Sequence, residues 1–183
     1  MRILFINPPA GSLTIGLRRL AKMEPLALEI LAAALPGHDV RILDMDLHRD
    51  LARTLRQFRP DVVGASAQIV QTYSARAALR LAKQVDPSVL TLVGGHHASL
   101  CPDDFRAEYI DAAVIGEGVA PLREIVESLE RGAIAAGASR AAALEHVPGL
   151  ALPRDGALHF TPTRPVPRTL AHHPLPDRSL TQG

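Results

Sequence analysis

The 183-residue chain has room for one ordinary domain and a short appendage, and 47% of it is apolar, mostly aliphatic, with aromatics at 3% and no Trp. Twenty Lys and Arg against nineteen Asp and Glu give a net charge of +1, which excludes electrostatic capture by nucleic acid or an anionic membrane, and the scarcity of rings excludes a stacking surface for single strands. A single cysteine forbids an intramolecular disulfide, no apolar run nears the ~18–20 residues that span a bilayer, and no signal-peptide pattern opens the chain, so a cytoplasmic location is expected.

Arg2 to Ile6 is a short apolar run stopped by Asn7-Pro8-Pro9, which reads as a buried strand ending in a loop. Pro25 sits where a first helical residue would, and Leu26, Ala27, Ile30, Leu31, Ala34 and Leu35 recur at helical spacing up to Pro36-Gly37. The pattern then repeats. Val40–Leu43 is a strand, and Leu51, Leu55 and Phe58 mark one face of a helix closed by Pro60. Asp61–Ser66 is a third strand, followed by a helix with an Ala75, Ala78, Leu79, Ala82, Val85 stripe that Asp86-Pro87 ends. Leu90–Val93 is a fourth strand ending in Gly94-Gly95, and Pro102–Tyr109 is expected to be a short helix. Ala112–Ile115 is a fifth strand, and Pro121–Glu130, stopped by Gly132, completes five strand-helix units.

Short apolar strands alternating with amphipathic helices imply a parallel sheet covered on both faces. The expected fold is a flavodoxin-like (Rossmann-like) α/β domain with five parallel strands, compatible with the order 2-1-3-4-5, although periodicity does not fix strand order. Residues 1–132 form this domain, and the Ala-rich stretch from 133 is a loop and short helix. Asp155-Gly156 between two apolar runs predicts a tight hairpin within a 133–161 spacer. The last segment, 162–183, carries five prolines and three arginines without periodicity, and reads as an extended linker.

In an open parallel sheet a ligand binds beyond the carboxyl ends of the strands. The loops there are Asn7-Pro8-Pro9, Asp44-Met45-Asp46, Ser66-Ala67-Gln68, Gly94-Gly95-His96-His97 and Gly116-Glu117-Gly118. The first lacks the GxGxxG of a dinucleotide site, a Walker A pattern and the Ser/Thr-rich loop of a flavin mononucleotide site. The acid cluster and late Lys of a phosphate-accepting receiver domain are missing too.

Taken in order, Asn7-Pro8-Pro9, Pro25-Leu26-Ala27, Asp61–Ser66, Val93–Ser99 and Ile110–Gly118 resemble the cobalamin-binding domains of cobalamin-dependent radical S-adenosylmethionine enzymes. The likeness covers roughly residues 1–130, and Pro174–Arg178 is similar to the connector leading into that family's barrel. It implies cobalamin as cofactor, with Asn7, Pro8 and Pro9 bordering the corrin, and Gly94 and Gly95 making room for the benzimidazole tail. Ser66 would donate to the displaced base, and Gly116 and Gly118 would clear space for ribose and phosphate. Ala67, Gln68, His96, His97 and Glu117 belong to the same cofactor loops. Each has a plainer alternative: a strand stop at the prolines, turns at the glycines, a hydroxyl bonded to nearby backbone at Ser66.

Two features depart from better-known cobalamin domains. No DxHxxG follows the first strand; Asp46-Leu47-His48 follows the second and lacks the Gly, so no protein His is expected on cobalt. Ser66-Ala67-Gln68 matches only half of the Ser-x-Leu element. Adjacent His96 and His97 are not a chelating pair, Cys101 is a bystander, and His172-His173 lie in the linker with no catalytic role expected. Three cysteines in CxxxCxxC hold the iron-sulfur cluster in that enzyme class, so cluster and S-adenosylmethionine are expected in a barrel domain in cis that this chain does not include. The full enzyme would perform methyl transfer or a related radical reaction; the alternatives are a regulatory module of the same fold that has lost the cofactor, or a small flavoprotein.

Overall fold

The computed structural model describes residues 1–11, 24–48, 50–132, 143–165, 169 and 173–181. β1 (Arg2–Asn7), β2 (Asp39–Asp44), β3 (Val62–Ser66), β4 (Leu90–Gly94) and β5 (Ala112–Val114) are mutually parallel, in the order β2-β1-β3-β4-β5. Connections from β1 run first to one side and then to the other, so strand order reverses at β1.

The strand count is larger than the sequence reading had it. β6 (Leu150–Arg154) pairs antiparallel with β5, and β7 (Ala157–Phe160) with β6, making one seven-stranded sheet in which the hairpin is the edge rather than a separate appendage. Fully buried Leu150, Ala151 and Leu152 drive this docking, because the parallel sheet would otherwise end on the bare edge of β5. The hairpin turn itself is as expected: Asp155 and Gly156 both take positive φ, at 54° and 75°.

Strand alternation divides the core in two. Ile3, Phe5, Leu90, Leu92 and Val114 face α1 (Leu26–Ala33) and α5 (Val119–Glu130), whereas Leu4, Ile6, Val63 and Val93 face α2 (Leu51–Phe58) and α3 (Thr72–Val85). Asp50 caps α2 by accepting from the Arg53 N–H, and a left-handed Arg59 ends it. Before β5, the Tyr109 hydroxyl accepts from Arg76 and Arg80 of α3. Burial pushes its ionisation up, but the two guanidinium groups outweigh this and hold it below the ordinary tyrosine range.

Two further expectations need correction. Instead of one helix over Pro102–Tyr109, α4 (His96–Leu100) begins directly after the glycines, and a 3-10 turn covers Pro102–Phe105. A proline disfavours the helical region for the residue before it, so Cys101 leaves that region, at φ −132°, ψ 62°, and splits the two pieces. The carboxy-terminal linker is also not simply extended. Arg178–Leu180 form a 3-10 turn on α1, where the Asp177 N–H donates to the Glu29 carbonyl and the Thr181 hydroxyl donates to the Glu29 carboxylate. Leu180 packs on the α1 and α5 side of the core. Its order comes from one apolar anchor and polar contacts rather than from a periodic stripe.

Candidate functional site

Between the sheet and the pair α1 and α5, towards the carboxyl ends of β3, β4 and β5, lies a cavity of about 230 Å³. Strand parity builds its floor. Phe5 of β1, Gly64 of β3, Leu92 of β4 and Val114 of β5 point to this face, and Leu31 and Leu122 close the sides from the helices. The volume falls below the ~300–1,000 Å³ of a pocket that encloses a whole drug-sized ligand. The slot therefore suits a small, largely apolar group.

Each glycine around it has its own reason. Gly64 lies under the Phe5 ring, where a Cβ would come within 3.0 Å of the ring edge. Gly95, at φ +100°, is pressed on the Ala67 backbone, which a Cβ would approach to 2.9 Å. Gly118 lets the start of α5 close on Leu31. Gly94 differs: a Cβ there would meet nothing nearer than the Val114 Cβ at 3.8 Å, so the fold leaves room for a side chain that would stand in the slot.

Polar lining is sparse. Ser66, Glu117 and His173 contribute the side chains able to hydrogen-bond, and the Ser66 hydroxyl has no partner among the described residues. Glu117 is fixed by the first turn of α5, its Oε1 accepting from the Val119 N–H at 2.6 Å. His173 comes from the carboxy-terminal segment, with Nε2 3.6 Å from Glu117 Oε1.

Of the residues singled out in the sequence, Ser66, Gly94, Gly95, Gly116, Glu117 and Gly118 meet at this slot. Asn7, Pro8, Pro9, Ala67, Gln68, His96 and His97 are outside its lining. Asn7 and Pro8 are tied down by Gln71, whose Nε2 donates to Asn7 Oδ1 at 3.2 Å and to the Pro8 carbonyl at 2.6 Å, while Ser74 donates to the Pro9 carbonyl. Ala67 is buried, and its N–H and carbonyl bond to the Gly94 carbonyl and the His97 N–H. Gln68 caps the 3-10 turn before α3, and His96 is exposed. The buried His97 ring turns to Asp104, 2.7 Å from Nε2, with the Phe105 ring edge-on.

Phe5, Gly64, Leu31, Val114, Leu122 and His173 were read from the sequence as strand, helix or linker residues and not as part of a site. Period-two alternation could have found three of the floor residues, since Gly64, Leu92 and Val114 each stand two residues before a recognised loop residue. Nothing in the local pattern marked His173, which is brought in by the anchoring of the tail.

A doubly wound sheet with a small apolar slot at its carboxyl rim has that slot where open α/β sheets bind their ligands. The chain belongs to the B12-binding domain family, whose family model matches residues 13–126. It is similar to an uncharacterized methyltransferase of Pyrococcus horikoshii, at 31% identity over 98% of this chain and 39% of that protein. It also resembles the hopanoid C-3 methylase of Methylococcus capsulatus, at 36% identity over 60% of this chain and 23% of that one. The anaerobic magnesium-protoporphyrin IX monomethyl ester cyclase of Rubrivivax gelatinosus is 33% identical over 72% of this chain and 25% of its own length. The chain thus spans less than two-fifths of each of these relatives. No helix among the described residues is long and apolar enough to cross a membrane.

Proposed function

We propose that this chain holds cobalamin for a radical S-adenosylmethionine enzyme that performs methyl transfer or a related radical conversion in the cytoplasm. The observation that carries the reading is the open slot beside Gly94, on the loop where the family resemblance put the benzimidazole tail. Its apolar walls suit a bicyclic aromatic base, and its size suits one arm with the corrin outside.

Ser66 would donate one hydrogen bond to the displaced nitrogen of the base, and the loop of Asn7, Pro8 and Pro9, fixed by Gln71 and Ser74, would border the ring. Bound cobalamin supplies a cobalt centre that accepts and releases a methyl group or an electron. The chain's share is to bind, orient and exclude water. No His is proposed as a cobalt ligand, because His97 is committed to Asp104 and no DxHxxG follows β1. The names of the relatives support methyl transfer or ring closure as the reaction, and their greater length supports a catalytic barrel in cis that carries the iron-sulfur cluster and S-adenosylmethionine.

An open slot favours this reading over a regulatory module that has lost its cofactor, in which side chains would close the space. The test is gel filtration after mixing with hydroxocobalamin. Visible corrinoid absorbance is expected to travel with the protein; a colourless protein peak at saturating cofactor would contradict the reading.

A further inference from the structure

The slot is apolar almost throughout, yet at Gly116-Glu117-Gly118 two polar side chains face each other across a short gap. Glu117 is held by α5, its carboxylate accepting from Val119 N–H and lying at the positive end of the helix. His173 is held by the other flank. Its segment is fastened to α1 through Asp177, Leu180 and Thr181, while further back Arg164 pairs with Glu124 of α5 at 2.7 Å. Pro174 and Pro176 stiffen the stretch between the imidazole and its anchors.

Both side chains are mostly buried, at 19% and 23% exposure, and their 3.6 Å separation is too long for a hydrogen bond. The Glu117 carboxylate already accepts from the Val119 and Ala120 N–H groups, whereas the imidazole makes no hydrogen bond among the described residues, and a polar atom drawn out of water costs stability unless something bonds to it. A hydroxyl group entering the slot meets that need: it donates to the carboxylate and accepts from an imidazole N–H, or bridges both. A phosphate would meet Glu117 as a like charge, so the complementary chemistry is a sugar hydroxyl.

We infer that His173 and Glu117 together read the ribose of the cobalamin nucleotide, making the carboxy-terminal segment a wall of the cofactor site rather than a passive linker. This rests on the cobalamin reading above, and the test separates the two. Affinities for cobalamin and for cobinamide, a corrinoid without the nucleotide, are measured by absorbance titration on the unaltered chain and on H173A. H173A is expected to weaken cobalamin about tenfold, the worth of one buried hydrogen bond, and to leave cobinamide unchanged. H173Q, which keeps a hydrogen-bonding group, is expected to recover most of the loss. Should H173A misfold, H173F supplies an apolar ring of similar size for the same comparison. Cobalamin affinity within twofold of the unaltered chain in H173A or H173F, or an equal loss for both corrinoids, overturns the inference while cobalamin binding itself stands. If the unaltered chain binds neither corrinoid, the cobalamin reading falls, and this inference falls with it.

Discussion

Gly94 and Gly95 are neighbours in sequence and do different things. Gly95 serves the fold: its φ of +100° and the 2.9 Å approach of a Cβ to the Ala67 carbonyl both forbid a side chain. Gly94 has ordinary backbone and free space, so its missing side chain matters to whatever enters the slot. Gly95→Ala is therefore expected to lower stability by about 1–3 kcal/mol in urea denaturation. Gly94→Val is expected to leave the denaturation midpoint near its original value and to weaken cobalamin at least about tenfold, through the lost room for the base. A Gly94→Val variant that binds as tightly as the unaltered chain would show that the slot is not used. From sequence the two residues were one Gly-Gly turn; only the packing of Ala67 on one and the emptiness beside the other separate them.

At the scale of elements, the loop that ends β1 illustrates how a strand terminus is made rigid. Two prolines remove backbone donors, and buried Gln71, at the start of α3, satisfies the side-chain oxygen of Asn7 and the buried carbonyl of Pro8. Gln71→Leu keeps the volume but leaves the Pro8 carbonyl unpaired, so a loss of about 1–3 kcal/mol is expected by thermal or chemical denaturation. An unchanged midpoint would mean the loop is not held this way. The strands and long helices were legible because their apolar residues recur at periods of two and 3.6, and the stops fell on Pro36, Pro60 and Pro87. The split of Pro102–Tyr109 was not legible, because Cys101 is forced out of the helix by its neighbour and carries no sign of its own.

For the whole molecule, the parallel order 2-1-3-4-5 places the reversal at β1 and leaves the carboxyl ends of β3, β4 and β5 to build a common rim. The edge beyond β5 is covered by the hairpin, and the α1 flank of the slot by the returning tail. Alternation alone showed two hairpin strands but not where they dock, since docking is decided by the bare edge of β5. The tail had too little apolar content to read as ordered; its anchor is Glu29, a buried acid on α1 that pattern-based reading passes over. Six of the nineteen residues that line the slot stand in the loop motifs, and the remainder lie on strand faces, on and beside α1 and α5, and in this tail.

The most direct measurement is a crystal structure of the chain grown with cobalamin. The account predicts a benzimidazole nucleotide between α1 and α5, lying against Gly94, with the corrin outside the slot and no histidine on cobalt. A base still coordinated to cobalt, or a cofactor seated away from that slot, would contradict it.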